Sequence, residues 1–183
     1  MKLMEDGTDL EGGADPRPKK VLVALDLGPG SGAALAVACD LARRREASVV
    51  ALRAVHLNIV GEERGIPRTR LAAELVGQAS EELRQFVENA RPDVAVETLA
   101  REGRPANVIV STAREIGAAA IVMRWHGLRG WRSWLHRNTA SRVSKEAPCP
   151  VWLAVPGTGR ASRLDGGLGM SVIEVSSRAV AHA

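Results

Sequence analysis

Two stretches of the chain combine residue types able to hold an anion. The first is Asp26 followed by Gly28-Pro29-Gly30-Ser31-Gly32: a carboxylate, glycines that let backbone amides approach a ligand, and a hydroxyl at the start of a helix. The second runs from Arg124 to Asn138, with Arg124, Arg129, Arg132 and Arg137 set among Trp125, Trp131 and Trp134, and with His126 and His136. Guanidinium groups give forked donors to phosphate or carboxylate, and indole faces stack on bases. Each stretch also has a plainer reading. Asp26 is then a turn residue, the arginines are solvated charge, and the Trp rings cover a loop or pack at a contact between copies.

Several chemistries are excluded by spacing. The glycines give GxGxG rather than GxGxxG, Pro29 removes a backbone donor, and the second strand ends in His56-Leu57 instead of a ribose-binding acid. No GxxxxGK[ST] run is present, which excludes a Walker-type phosphate loop. Asp26 has no second acid beside it, unlike a phosphoacceptor site. No His, Cys, Asp or Glu cluster has metal-ligand spacing, and no carboxylate pair suggests hydrolysis. His56 is expected at a pocket edge, without a nucleophile beside it. Cys39 is expected in the core, and Cys149, between two prolines at a strand mouth, is expected to be accessible.

These residues need a scaffold, and the pattern supplies one. Val21-Leu22-Val23-Ala24-Leu25 is a short solid apolar run, the mark of a strand buried on both faces. Ser31 is placed to cap a helix in which Ala34, Leu35, Ala38, Leu41 and Ala42 recur at helical spacing, closing in Arg43-Arg44-Arg45 at the negative end of the dipole. Residues 48–57 predict a second strand and 68–90 a long amphipathic helix with Leu71, Leu75, Ala79, Leu83 and Phe86 on one stripe. Residues 94–99 alternate, as on a sheet edge. Gly103-Arg104-Pro105 opens a third helix, residues 118–123 a fourth strand, residues 138–146 a short helix, and Val151 to Val155 a fifth strand. Uninterrupted alternation predicts an α/β, doubly wound, five-stranded parallel sheet. Ligands of such sheets sit at the carboxyl ends of the strands, where both stretches above fall.

The chain has 183 residues, 45% hydrophobic and 25% charged, enough for one packed core. Residues 1–18 carry five acids and two bases and predict a flexible acidic leader without a secretory h-region. Residues 157–183 predict a mostly disordered tail, with SVIEV at 171–175 as an additional strand candidate. Two distant thiols and the lack of any apolar run long enough to span a bilayer predict a cytoplasmic protein. The net charge of +4 permits a polyanion partner without requiring one.

Over residues 19–156 the sequence resembles the universal stress proteins. The resemblance rests on KKVLVALD, on the long helix after VVALRAVHL, on GRPANVIVSTA, on AAIVM with a Gly-bearing loop after it, and on APCPVWLAV. It implies the adenine nucleotide α-hydrolase-like fold with strand order 3-2-1-4-5, and a homodimer formed through Val151 to Val155. ATP-binding members carry Gly, two residues, Gly, nine residues, Gly-Ser after the fourth strand. On this chain those positions are Arg124, Gly127, Arg137 and Asn138, so only Gly127 is retained. The resemblance further implies that Asp26 is the aspartate ending the first strand, that Ala24, Leu57 and Met123 line an adenine slot, and that Thr139 belongs with Asn138 at the helix start. Arg124 and Arg137 either occlude the phosphate cradle or supply charge by another geometry.

The expected function is a non-catalytic cytosolic stress-response protein acting through nucleotide or protein binding, with adenine nucleotide as the candidate cofactor and ordinary ATP binding disfavoured. One rival is an ATP- or AMP-binding protein with weak hydrolase activity, in which the arginines stabilise phosphate charge. Another is a module whose Arg- and Trp-rich loop binds nucleic acid or an acidic partner, recognisable by steep salt dependence.

Overall fold

The computed structural model describes residues 19–57, 68–124, 139–156 and 170–175. The elements run β1 (Lys20–Ala24), α1 (Ser31–Arg44), β2 (Ser48–Val55), α2 (Arg68–Ala90), β3 (Val96–Glu102), α3 (Pro105–Glu115), β4 (Ala118–Arg124), α4 (Thr139–Glu146), β5 (Val151–Pro156) and β6 (Met170–Val175). The sheet order is β3-β2-β1-β4-β5-β6. The first five strands are parallel, in the 3-2-1-4-5 order expected from the sequence.

Side-chain alternation along the central strands divides the core into two layers. Val21, Val23, Val49, Ala51, Val122 and Ala154 face one side, where Ala34, Leu35, Ala38 and Ala42 of α1 and Leu83 and Val87 of α2 cover them. Leu22, Val50, Leu52, Ile121, Met123 and Leu153 face the other side, beneath Ile109 and Ala113 of α3 and Val143 of α4. Burial on both faces explains why β1 and β4 read as solid apolar runs. The outer strand β3, VETLARE, is only partly buried and alternates accordingly.

The departures from expectation are local. Strand β3 begins at Val96 rather than Val94, because Arg91, at φ 46°, turns the chain out of α2 and residues 91–95 are spent on the connection. Ser31 does not cap α1. Gly30 stands at the N-cap in left-handed conformation, φ 92°, and no side chain caps the helix. At the far end of the chain, the proposed disorder of the tail gives way over Met170–Val175 to β6, which pairs antiparallel with the whole of β5, from Val151↔Val175 to Pro156↔Met170. The edge implied for pairing with a second copy is therefore taken by a strand of the same chain. Residues 1–18, where the acidic leader was expected, lie outside the described residues.

Candidate functional site

The register of the central strands builds the site. Ala24 of β1 lies opposite Leu52 of β2 on one side and Met123 of β4 on the other, so β1 and β4 end side by side. Two residues beyond β1, Asp26 turns the chain toward α1, and one residue beyond Met123 comes Arg124. Residues 98 apart in sequence thereby meet: Arg124 Nη2 donates to Asp26 Oδ2 at 3.2 Å. The other carboxylate oxygen, Oδ1, accepts from the Gly28 amide at 3.0 Å and from the Ser31 hydroxyl at 2.8 Å. Ser31 is buried, so its hydroxyl, expected at a helix cap, instead fixes the orientation of Asp26.

The glycine loop serves the arginine. A Cβ on Gly30 would stand 3.0 Å from Arg124 Cδ and 3.4 Å from Nη1, and one on Gly28 would stand 3.6 Å from Nη2 and 3.3 Å from Asp26 Oδ1. The bare backbone at 28–30 thus receives the stem and guanidinium of Arg124, whose side chain is 19% exposed against 49% for Asp26. Leu27, between Asp26 and Gly28 in the chain, stands at φ 58°. A left-handed leucine costs about 1–2 kcal/mol, offset here by the Gly28 amide on Asp26 and by packing of Leu27 against the α1 face of the core.

Of the residues assigned to binding from the sequence, Ala24, Asp26, Met123 and Arg124 come together at the carboxyl ends of β1 and β4. Met123 is buried and Ala24 half-buried in the same core layer. Leu57 lies half-buried just past β2, and His56 beside it is exposed. Thr139 opens α4 and is half-buried. Gly127, Arg137 and Asn138 lie outside the described residues, as do Trp125, Trp131, Trp134, His126 and His136. Sequence reasoning missed Ser31 as a partner of Asp26, and the only signal for it was a hydroxyl in the first turn of the helix that follows.

No cluster of three or more metal-ligating side chains occurs among the described residues. Cys149 is buried, contrary to its expected access. Burial pushes its thiol up to about 11, with Arg45 opposing. Cys39 is also buried, and desolvation, with the Asp93 carboxylate adding to it, raises its thiol to about 11. Both thiols are accordingly protonated and poor nucleophiles at neutral pH.

What the geometry defines is an α/β protein with its site above the carboxyl ends of β1 and β4, in the loop-lined position where open parallel sheets bind ligands. The universal stress protein family model matches residues 18–155, and the chain belongs to that family. It is 28% identical over 147 residues to the universal stress protein YxiE of Bacillus subtilis (strain 168), covering 72% of this chain and 95% of that protein. Among solved structures, a universal stress protein family member from Burkholderia pseudomallei is 30% identical, with a TM-score of 0.53 over 74% of this chain and 94% of its own. A universal stress protein solved in complex with cAMP is 17% identical, with a TM-score of 0.57 over 74% of this chain and 95% of its own, a likeness of fold. No helix among the described residues is long and apolar enough to cross a membrane.

Proposed function

We propose that the protein is a non-catalytic, cytosolic stress-response protein whose adenine-nucleotide site is plugged by its own arginine. The observation that carries this reading is the Arg124 side chain lying across Gly28 and Gly30 with its guanidinium on Asp26. A phosphate seated on that loop needs the backbone Arg124 covers, and an adenosine that uses Asp26 needs the carboxylate Arg124 holds. Ala24 and Met123, side by side at the strand ends, supply the apolar floor for a base. Family membership supports the stress-response role, and the solved relative bound to cAMP supports trying a compact adenine nucleotide first. Pairing of two copies through Val151 to Val155, implied by the resemblance, requires β6 to leave that edge, because a strand edge accepts one neighbour.

The ion pair is half-exposed on the Asp26 side, so screening limits it to about 1 kcal/mol or less. Breaking it reduces ligand affinity by up to about fivefold, and displacing the arginine stem from the glycines adds to that cost. Titration calorimetry with ATP, AMP and cAMP on the native protein and on Arg124→Gly checks the reading. The variant should bind more tightly, by up to about fivefold from the lost ion pair and further from the freed glycines, with ATP gaining most. Weaker binding by the variant would make Arg124 a ligand group rather than a plug. Micromolar ATP binding by the native protein that disappears in Asp26→Ala would show the site already open.

A further inference from the structure

All four helices begin at the carboxyl ends of the parallel strands and finish at the amino ends, because each links two strands that run the same way. A helix is partly positive at its first turn and partly negative at its last, so acids are favoured early and bases late. The late positions follow this rule: Arg43 and Arg44 close α1, Arg114 closes α3 and Lys145 closes α4. The early positions invert it. No acid stands in the first turn of any of the four helices. Instead α2 opens with Arg68-Thr69-Arg70, Arg104 is the N-cap of α3, and Arg142 is the fourth residue of α4.

These arginines stand where the helix field opposes them. No side chain caps α3, Arg104 is exposed, and no carboxylate pairs with it among the described residues. Arg70 and Arg142 each pair with a glutamate four residues on, Glu74 at 3.1 Å and Glu146 at 3.4 Å, and their side chains stay 76% and 46% exposed. With the arginine on the N-terminal side, both pairs have the weaker order. Of the described carboxylates at this end, Asp26 is held by Arg124 and Glu102 closes β3. The arginines are also far apart. Helix α2 covers one face of the sheet, and α3 and α4 cover the other. Two layer spacings, about 20 Å, therefore separate Arg70 from Arg104 and Arg142. The phosphates of one nucleotide do not bridge that distance, whereas a chain of phosphates laid over the strand ends does.

We propose that the carboxyl-end face of the sheet is a docking surface for a single strand of nucleic acid, held through its phosphates by Arg70, Arg104 and Arg142. Forked guanidinium donors match phosphate oxygens, and an external anion offsets the repulsion between each arginine and its helix. The sequence between Glu115 and Glu146 contains no acid, and residues 125–138, which join β4 to α4, include Trp125, Trp131 and Trp134. Those residue types favour a nucleic acid over an acidic protein. None of the three arginines belongs to the Asp26–Arg124 pair, so this inference and the plugged nucleotide site stand or fall separately.

The test is fluorescence anisotropy of the full chain with a labelled oligothymidylate about 20 nucleotides long. The native protein should bind with a dissociation constant of about 100 μM or below at about 50 mM salt. Three phosphate contacts on a single strand predict a log–log salt slope of about −2. Arg70→Gln/Arg104→Gln/Arg142→Gln should weaken binding at least about tenfold and flatten the slope. The control Arg44→Gln/Arg114→Gln/Lys145→Gln removes the same charge from the opposite end of the sheet and should stay within about twofold of native. Polyglutamate of matched charge should compete at least about tenfold more weakly than unlabelled oligonucleotide. A separate variant, Arg104→Asp, places an acid at the α3 N-cap. It should raise the melting temperature by about 2–4 °C while lowering affinity. No binding at low salt overturns the proposal. So does an equal loss in the control, equal competition by polyglutamate, or a lower melting temperature in Arg104→Asp, which would make Arg104 a structural group.

Discussion

Asp26 is the residue on which the site turns, since one carboxylate accepts the Gly28 amide, the Ser31 hydroxyl and the Arg124 guanidinium. Its position after the first strand was legible because a solid apolar run ending in an acid and a Gly-Pro-Gly turn has few other meanings. That Arg124 would be its partner was not legible, because a contact across 98 residues depends on β1 and β4 lying next to each other in register. The same contact assigns a role to Gly30 that the motif alone left open. At φ 92°, with 3.0 Å between a built Cβ and Arg124 Cδ, a side chain there is strained and crowds the arginine. Gly30→Ala should lower stability by about 1–2 kcal/mol in urea unfolding. No loss of stability would mean that Arg124 does not rest on this backbone.

At the scale of elements, α2 shows how far periodicity reaches. Its apolar stripe predicted residues 68–90, and the helix occupies Arg68–Ala90. Leu83, fully buried in the same core layer as Val49 and Ala51 of β2, anchors it. Leu83→Ala should cost about 2–5 kcal/mol, read as a lower urea midpoint with an unchanged slope. A cost below about 1 kcal/mol would mean that α2 packs loosely enough to collapse into the space. The strand β6 marks the limit of such reading. SVIEV alternates weakly and lies in a Gly- and Ser-rich stretch, so nothing local distinguishes a sixth strand from a tail. Only the uncovered edge of β5 makes it one.

For the whole molecule, a network of arginine–carboxylate pairs fastens the helices and connections to the sheet. Arg53 of β2 pairs with Glu82 of α2, Arg101 of β3 with Glu115 of α3, and Arg43 of α1 with Asp93 ahead of β3. Hydrogen bonds from these arginines hold Glu82, Glu115 and Asp93 below their ordinary carboxylate values. On the outer face of α2, Arg84 and then Gln85 bring Glu81 down to about 2. A depressed folded-state pKa gives stability that is present above the unfolded value and is lost as pH falls through the folded one. The ordinary values here are 4.5 for Glu and 3.8 for Asp. Thermal melting should therefore be level from pH 7 to about 5 and fall between about 4.5 and 2, with a smaller fall at about 1 M salt because the carboxylates are exposed. A melting temperature unchanged down to about pH 2 would mean that these pairs add nothing to stability.

The order of strands and helices and the two-sided core were written in the sequence, because hydrophobic period, turn residues and chain connectivity are local or nearly local. Ala24, Asp26 and Met123 could be named for the same reason: each falls at or just beyond the end of a strand that announces itself. Three things depended on tertiary structure: the closing of Arg124 onto Asp26, the burial of Cys149, and the covering of β5 by β6. Each joins groups far apart along the chain, or sets how much water a group keeps. Those are properties of which surfaces meet, and no run of neighbouring residues carries them.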